Sequence, residues 1–325
     1  MGIRIAGIGR YVPEKVLTNH DLEKMVETSD QWIRERTGIV ERHIAAPDEA
    51  TSDLAYKAAL DALNRAGVSP EELDMVFVAS ASPDMLFPAT GCIVQSKLGA
   101  KNAGCFDIEA ACPGFVYGLE LARGFLSLPH YSKILVIGAE TLSRLVDWTD
   151  RNTCVLFGDG AGAAVLIKDD SDRGILASYL GGDGSLGKLL YLPAGCSRMP
   201  ASHETVDNRL HYIKMKGREV FKHAVVQMRS SALKALERAG LTPDDVDWLV
   251  PHQANIRIIE ATYERLGLPR EKVYINIDRY GNTSSASIPI ALAEMDEKGL
   301  LKPGQIVVTV SFGAGFIYGA NVIRW

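Results

Sequence analysis

Two stretches of the sequence are near copies of each other, and this internal repeat constrains the fold more than any other feature. Residues 59–74 read ALDALNRAGVSPEELD and residues 232–247 read ALKALERAGLTPDDVD, with nine of sixteen positions identical at an offset of 173. A shared helix ending would explain one such match, because Ala-Gly after an amphipathic run is an ordinary helix C-terminus. Each copy, however, also leads into an apolar segment, MVFVAS at 75–80 and WLVPHQ at 248–253.

The same offset relates a later pair of segments, KILVIGAE at 133–140 and IVVTVSFG at 306–313. We therefore infer two fused copies of one unit. Strands alternate with helical patterns in each copy, which predicts an α/β fold with a largely parallel sheet and helices on its faces. The charged stretch KDDSDRG suggests the boundary, so the expected halves are residues 1–170 and 171–325.

A helix of small residues is predicted in each half, one opened by Cys112 in CFDIEAACPGF and one by Asn282 in VYINIDRYGNTSSASIPIAL. The loop before the second helix is about five residues longer. Ligands of parallel α/β sheets bind beyond the carboxyl ends of the strands, where helix N-termini also point. Cys112, Asn282, the loop SFGAGF and His252, which ends the strand WLVP, are therefore expected to converge on one site.

Cys112 is one of five cysteines, which are odd in number and contain no C-x-x-C pair. This usage argues against a disulfide framework and against a zinc site. Taken alone, a cysteine such as Cys112 is more often a small buried hydrophobic residue than a reactive one. Pro113, however, suits the first helical turn and places Cys112 at or beside the N-cap, where the helix dipole is expected to lower the pKa of the thiol. The sequence therefore favours a reactive cysteine.

The other two residues have simpler alternatives. His252 is also consistent with a structural histidine at a strand end, and Asn282 after Gly281 with an ordinary turn or N-cap. The run GGDGSLG at 181–187 matches G-x-G-x-x-G, but KLLYLPAG follows it in place of a helix, so phosphate binding is not expected there.

The net charge of −5 gives no overall signal for nucleic acid. No segment reaches the roughly 18 apolar residues of a membrane span, and the first residues lack the apolar core of a signal peptide, so we expect a cytoplasmic protein without a membrane partner.

Although the net charge of the chain is negative, one segment is rich in basic residues. Lys214, Arg218 and Lys222 recur every four residues, and Arg229 lies seven residues beyond Lys222. The spacing predicts a basic stripe on one helix, either a solvated face or a docking patch for an acidic macromolecule.

Together these features resemble the thiolase-fold condensing enzymes, and specifically the β-ketoacyl-acyl-carrier-protein synthase III family. The motifs that carry the resemblance span the whole chain: TSDQWIRERTGIVERHI, DIEAACPGF, DRNTCVLFGDGAGAAVL, VPHQANIRII, RYGNTSSASIP and SFGAGFIYGANVIRW. The resemblance implies a five-layered α-β-α-β-α fold of two duplicated halves, and a homodimer. It implies no cofactor, since acyl-CoA is a substrate, and no metal is expected because the sequence contains no metal-binding signature.

The resemblance also implies the reaction. A short starter acyl-CoA would acylate Cys112, and malonyl-acyl-carrier protein would lose CO₂ and attack the acyl group, which begins type II fatty-acid synthesis. His252 and Asn282 would hold the malonyl thioester carbonyl, while the backbone N–H groups of Cys112 and Ala314 would hold the tetrahedral oxyanion. A related Cys-His-Asn enzyme of polyketide, quinolone or hydrocarbon synthesis is the alternative, and a catalytically silent subunit that docks carrier protein is another.

Further residues acquire expected roles from the resemblance. The positions expected to bind CoA are Trp32, Arg36, Arg151 and Asn255. The positions expected to contact the carrier protein are Gln253, Ala254, Asn255, Ile256 and Arg257, with Lys214, Arg218 and Lys222 of the basic stripe. Phe87 is expected to reach the acyl pocket of the partner subunit and to limit chain length. The starter acyl group itself stays open.

Overall fold

The computed structural model describes residues 2–325. Its strands are β1 Gly2–Tyr11, β2 Lys15–Thr18, β3 Glu41–Ile44, β4 Met75–Ala79, β5 Gly104–Ile108, β6 Lys133–Thr141, β7 Asp159–Asp169, β8 Gly174–Gly182, β9 Leu190–Tyr191, β10 Lys214–Met215, β11 Trp248–Pro251, β12 Ile306–Gly313 and β13 Ile317–Arg324. Its α-helices are α1 Asn19–Leu22, α2 Asp30–Thr37, α3 Thr51–Ala66, α4 Thr90–Leu98, α5 Gly114–Ser127, α6 Arg151–Cys154, α7 His203–Asp207, α8 Gly217–Arg238, α9 Ile256–Leu266, α10 Ile277–Tyr280 and α11 Ser287–Glu297.

The repeated sequence motif folds the same way in both halves. It forms the end of α3 and of α8, and each helix is followed by a 3₁₀ turn and then by a buried strand, β4 or β11. In the first turn the Glu72 carboxylate accepts the Ser69 N–H at 2.8 Å, and in the second the Asp245 carboxylate accepts the Thr242 N–H at 2.8 Å. The S/T-P-[DE]-[DE] pattern thus directs the chain from helix to strand twice by the same local hydrogen bond.

The two main sheets have matching strand orders. The first has the order β1-β7-β6-β4-β5 and the second, read from its other end, β8-β13-β12-β11. Val273 bridges Leu249 of β11 in the place where β5 pairs with β4 in the first sheet. This correspondence confirms that the fold consists of two copies of one unit.

The sheets are mixed, so the prediction of a largely parallel sheet is wrong. β4 runs parallel to β5 and β6, and β11 parallel to β12, but β1 and β6 run antiparallel to β7. In the second sheet β12 and β8 likewise run antiparallel to β13. In the second sheet the reason is the connection after β12, where three residues return the chain directly, and a short return of this kind gives an antiparallel neighbour; in the first sheet β7 returns beside β6 after the longer connection of residues 142–158.

Five layers result from the way the helices cover the sheets. α3 and α4 pack on the outer face of the first sheet, and α8 and α9 cover the outer face of the second. α5 lies between the sheets, where it contacts β4 and β6 on one side and β8 and β13 on the other, and α11 contacts β1, β7 and β11. The predicted α-β-α-β-α arrangement is confirmed.

The two central helices are counterparts, as predicted. Each is preceded, three residues before its first residue, by a non-glycine residue with a positive φ, Ala111 (42°) and Ser284 (47°). Cys105, which pairs with β4, lies nine residues before α5, whereas Val273 lies fourteen residues before α11, so the second loop is five residues longer. α11 begins at Ser287 and not at Asn282, because a 3₁₀ turn comes first.

Within residues 2–325, no helix combines the length and the apolar character that a membrane crossing requires.

Candidate active site

A cavity of about 650 Å³ lies where the two halves meet, beyond the carboxyl ends of β11 and β12. Its lining includes Cys112, His252 and Asn282, together with Phe312 and Gly313 at the end of β12. The structure therefore brings the three residues singled out in the sequence to one cavity, beside the N-terminus of α5.

Cys112 is held between the start of α5 and the end of β12. It directly precedes Pro113, the N-cap of α5, as the sequence pattern predicts. A Cβ atom added at Gly313 would lie 2.8 Å from the Cys112 nitrogen, so only glycine permits this close contact. Ala111 has a left-handed backbone with φ 42°, a conformation that costs on the order of 1–3 kcal/mol and clusters at functional sites.

The pKa of Cys112 is higher than the sequence led us to expect. Burial raises the pKa of the thiol to about 12; the Ser284 hydroxyl opposes this shift and the Glu140 carboxyl adds to it. The predicted lowering by the helix N-terminus is therefore wrong, because removing a thiolate from water outweighs the dipole of α5. The sulfur rests as a thiol, and its proton has to leave as the reaction proceeds.

His252 extends the β11–β12 ladder by one hydrogen bond, since its backbone N–H donates to the Val310 carbonyl at 2.8 Å. Its Nδ1 lies 2.7 Å from the Oγ of Ser287, the first residue of α11. Its Nε2 is buried and has no hydrogen-bond partner within the described residues 2–325. Burial lowers the pKa of His252 to about 3, so the ring is neutral at physiological pH.

The hydrogen bonds of Ser287 assign the tautomer of this neutral ring. The Ser287 Oγ accepts the Gln253 N–H at 3.3 Å, and no acceptor for its single hydrogen other than His252 Nδ1 occurs in the part of the chain that the structure describes. A hydroxyl in this position donates to Nδ1, which leaves the ring hydrogen on Nε2. The imidazole is thus a neutral N–H donor at its unpartnered end.

Asn282 is fixed by its backbone and by its side-chain oxygen. Its N–H donates to the Leu156 carbonyl at 2.9 Å, and its carbonyl accepts the Gly158 N–H at 3.0 Å. Its Oδ1 accepts the Ser284 N–H at 2.9 Å. The side-chain NH₂ group is therefore the end available to a ligand. Asn282 and His252 together present two neutral donors near a buried thiol.

The residues expected to bind CoA lie together at the mouth of the cavity. Trp32, Arg36 and Asn255 line it, and the guanidinium carbons of Arg36 and Arg151 lie 5.6 and 4.8 Å from the centre of the Trp32 ring. Asn255 donates from its Nδ2 to the Arg36 carbonyl at 3.0 Å. Arg151 is not part of the lining itself and reaches the mouth by stacking on Trp32.

The basic stripe is only partly on one helix. Arg218 and Lys222 lie in the first two turns of α8, and both line the cavity. Lys214 lies in β10, so its placement on the same helix is wrong, because α8 begins only at Gly217. Arg229 lies further along α8, away from the lining, and its Nε donates to the Arg265 carbonyl at 2.9 Å.

The segment expected to contact the carrier protein, Gln253 to Arg257, contains residues that line the cavity and one residue whose side chain is buried in the protein interior. Ala254 and Arg257 line the cavity, and Arg257 and Ile256 begin α9. Gln253 is only 1 % exposed, and its Nε2 donates to the Pro251 carbonyl at 2.8 Å. The expectation of a carrier contact is therefore wrong for the Gln253 side chain, which is committed to the protein interior.

Two more predicted residues lie outside the lining. Ala314 directly follows Gly313 and opens the 3₁₀ turn after β12. Phe87 lies before α4 and is 85 % exposed, beside the exposed side chains of Met85 and Leu86. Phe87 therefore takes no part in the cavity of its own chain.

Sequence reasoning missed two polar residues of this region. One is Ser287, whose contact with His252 joins residues 35 positions apart. The other is Glu140, which is fully buried, accepts from the Ser82 hydroxyl at 2.6 Å and lies 2.9 Å from the Ser285 hydroxyl. Burial raises the pKa of Glu140. No local pattern marks either residue, since serine and glutamate are common in such segments.

The structure places no group of three or more His, Cys, Asp or Glu side chains, within residues 2–325, in an arrangement that holds a metal ion.

Comparison with known proteins gives consistent matches. The family model described as 3-oxoacyl-[acyl-carrier-protein (ACP)] synthase III matches residues 106–184, and the model of its C-terminal part matches residues 236–325. The "Beta-ketoacyl-[acyl-carrier-protein] synthase III" of Caldanaerobacter subterraneus is 61 % identical over 321 residues, which are 99 % of this chain and 97 % of the relative. That of Symbiobacterium thermophilum is 56 % identical, over 99 % of this chain and 98 % of the relative.

Solved structures agree with these matches. The 3-oxoacyl-[acyl-carrier-protein] synthase III of Aquifex aeolicus has a TM-score of 0.93 and 48 % identity, with both chains covered completely. The priming β-ketosynthase of the R1128 polyketide pathway has a TM-score of 0.92 and 34 % identity, covering 99 % of this chain and 96 % of that one. Xanthomonas campestris OleA has a TM-score of 0.87 at 22 % identity, covering 100 % of this chain and 97 % of that one, a likeness of fold alone.

Proposed function

Because this chain belongs to the 3-oxoacyl-[acyl-carrier-protein] synthase III family, we propose that Cys112, His252 and Asn282 are the catalytic residues of its reaction. The chain is an acyltransferase that condenses a starter acyl-CoA with malonyl-acyl-carrier protein and so initiates fatty-acid synthesis. The observation that carries the residue assignment is the meeting of one thiol, one neutral imidazole and one amide in a single cavity. The polyketide and OleA relatives are less similar to this chain, at 34 % and 22 % identity.

In the first half-reaction the Cys112 sulfur attacks the thioester carbonyl of acyl-CoA. A sulfur nucleophile suits this exchange, because a thiolate is both a strong nucleophile and a good leaving group. The thiol of Cys112 is protonated at rest, so the net result of this half-reaction is the transfer of its proton to the departing CoA sulfur. We assign the oxyanion to the backbone N–H groups of Cys112 and Ala314, because Gly313, which directly precedes Ala314, packs closely against the Cys112 nitrogen.

In the second half-reaction the malonyl thioester carbonyl accepts from His252 Nε2 and Asn282 Nδ2. Loss of CO₂ leaves an enolate, and each donor contributes roughly 3 kcal/mol of stabilisation to the developing negative oxygen. The enolate carbon then attacks the acyl carbonyl, and the Cys112 thiolate leaves and takes up a proton. The raised pKa of Cys112 favours this return to the thiol. The lowered pKa of His252 keeps the imidazole a neutral donor throughout.

The mouth of the cavity suits the two carriers of the acyl groups. An indole face and guanidinium groups recognise an adenine ring and phosphates, which supports Trp32, Arg36 and Arg151 as CoA contacts. Arg218, Lys222 and Arg257 line the same mouth, and a basic rim attracts an acidic carrier protein.

We further propose a homodimer, cytoplasmic and cofactor-free, whose halves are residues 1–170 and 171–325. The homodimer is supported by an unpaired edge of the first sheet, because β5 pairs only with β4 in the described part of the chain. Met85, Leu86 and Phe87 expose apolar side chains in the segment before α4, which packs on β5. A free strand edge beside an apolar patch favours association, and it would carry Phe87 to the partner's acyl pocket.

The division of roles is tested by measuring the two half-reactions separately in an Asn282→Ala variant. It should still form acyl-enzyme at close to the normal rate, because acylation does not use the amide, but condensation should fall about 100-fold or more, as expected for one lost oxyanion donor. Asn152→Ala, which alters another cavity-lining asparagine, is the matched control and should change neither half-reaction by much. Equal loss of both half-reactions in Asn282→Ala would overturn the assignment.

A further inference from the structure

Glu140 is a buried carboxyl group that the proposed reaction does not use. It lies in β6 and has no exposed surface. In the described part of the chain its hydrogen-bond partners are serine hydroxyls and one backbone N–H, with no Lys, Arg or His among them. Burying a carboxyl group without a basic partner is costly. A group in such a position, beside a cavity, is therefore a candidate for a role in function.

This carboxyl group joins the two halves of the molecule. Its Oε2 accepts the Ser82 hydroxyl at 2.6 Å and the Ala81 N–H at 3.1 Å, both in the loop after β4. Its Oε1 lies 2.9 Å from the Oγ of Ser285, which belongs to the second half and also lies 2.8 Å from the Ala79 carbonyl oxygen. The first half therefore fixes one carboxyl oxygen, and the other oxygen reaches the second half.

Ser285 belongs to the turn that orients Asn282. This turn, Ser284–Ala286, directly precedes α11 and packs on β6, because a Cβ atom added at Gly138 would lie 2.3 Å from the Ser285 carbonyl oxygen. Ser284 has a left-handed backbone with φ 47°, and its N–H donates to the Asn282 Oδ1 at 2.9 Å. A strained residue of this kind persists only while its surroundings hold it. The anchored Ser285 therefore keeps the Ser284 N–H in place, and this N–H orients the Asn282 amide.

We propose that Glu140 is a positioning residue for the Asn282 amide and acts through the Ser285 hydroxyl; this proposal rests on the role of Asn282 in the proposed function. The backbone of Asn282 has its own hydrogen bonds to Leu156 and Gly158, so loss of the carboxyl group frees the amide and leaves the backbone in place. Condensation uses this amide and acylation does not. The carboxyl group should therefore affect only the second half-reaction.

The test compares Glu140→Met with Glu140→Gln in the full-length protein, with acylation and condensation measured separately. Methionine has a similar length and makes none of these hydrogen bonds, so condensation should fall roughly 10-fold while acylation stays near normal. A glutamine amide can accept from Ser82 and donate to Ser285, so Glu140→Gln should condense at close to the normal rate. Equal loss of both half-reactions in Glu140→Met, or the same loss of condensation in Glu140→Gln, would overturn the proposal.

Ser285→Ala removes the same hydrogen bond from the second half, and it serves as the test if Glu140→Met does not fold. It should also slow condensation roughly 10-fold. Ser231→Ala, which removes another fully buried serine hydroxyl, is the matched control and should change neither half-reaction. Normal condensation in either Glu140→Met or Ser285→Ala would overturn the proposal.

A double variant shows whether Glu140 acts through Asn282. In an Asn282→Ala background, Glu140→Met should not slow condensation further, because the amide that Glu140 positions is already absent. A further loss in the double variant would overturn the proposal, since a purely structural defect would add to that of Asn282→Ala. Normal condensation in Asn282→Ala alone would overturn the proposed function and this proposal with it, whereas slow Asn282→Ala with normal Glu140→Met overturns this proposal only.

Discussion

The Ser287→Ala substitution tests how the tautomer of His252 is set, because Ser287 contacts His252 but touches no proposed reacting atom. The change removes the hydroxyl that lies 2.7 Å from His252 Nδ1 and that accepts the Gln253 N–H at 3.3 Å. Without this donor, nothing in the site selects the Nε2–H tautomer of the neutral imidazole. A ring with its hydrogen on Nδ1 would present a lone pair to the enolate oxygen in place of a donor.

The size of the effect follows from the hydrogen bonds that are lost. A buried neutral hydrogen bond contributes about 0.5–1.5 kcal/mol net, and leaving a buried donor unpaired costs about 1–3 kcal/mol. Since 1.4 kcal/mol corresponds to a factor of ten, the rate of condensation should fall roughly 10- to 100-fold. The unpaired Gln253 N–H should also lower the free energy of unfolding by about 1–3 kcal/mol. Acylation of Cys112 should change little.

The assay follows acyl-enzyme formation and condensation separately, with nitrogen chemical shifts of His252 as a direct report of the tautomer. Ser287→Thr keeps the hydroxyl and should restore most of the condensation rate. The reasoning is refuted if Ser287→Ala condenses normally, if both half-reactions fall equally, or if the ring hydrogen stays on Nε2 without Ser287.

Two further predictions concern the rim and the buried histidine. Lys222→Glu should raise KM for malonyl-acyl-carrier protein more than KM for acyl-CoA, because Lys222 lines the cavity mouth; Lys234→Glu, on the same helix but outside the lining, is the charge-matched control. Equal KM values in the two variants would make Lys222 an ordinary solvated side chain. Burial lowers the pKa of His252 from 6.5 to about 3, so unfolding binds a proton and stability is lost as the pH falls between these values. Between pH 6.5 and pH 5 the wild-type protein should lose roughly 1.5 kcal/mol more free energy of unfolding than His252→Gln, measured by denaturant titration at each pH. Parallel losses in both proteins would contradict the lowered pKa.

The sequence predicts the duplicated fold and the three converging residues because both depend on local patterns. The repeat shows itself in helix endings, turns and strands, and His252 and Cys112 stand next to recognisable element boundaries. The prediction of largely parallel strands is wrong for β7 and β13, because the direction of a strand depends on the connection that precedes it and not on the pattern within the strand. The helix placement of Lys214 failed for a related reason: a four-residue spacing does not show where a helix begins.

The remaining features arise only when distant segments meet. The raised pKa of Cys112 reflects burial in the assembled molecule, which outweighs a helix terminus that the sequence does show. Gln253 lies in a recognisable surface motif, yet its side chain turns inward to bond Pro251 and Tyr274. Ser287 contacts His252 across 35 residues, so no spacing rule predicts the pair.

The central claim is that Cys112 carries the starter acyl group, and the mass of the intact protein tests it most directly. After incubation with a mixture of acyl-CoAs, the wild-type protein should gain the mass of one acyl group, and that mass identifies the preferred starter. Cys154→Ser, which alters another buried cysteine outside the cavity, should gain the same mass, whereas Cys112→Ser should gain none. A wild-type protein that gains no mass, or an equal gain in Cys112→Ser, would contradict the account.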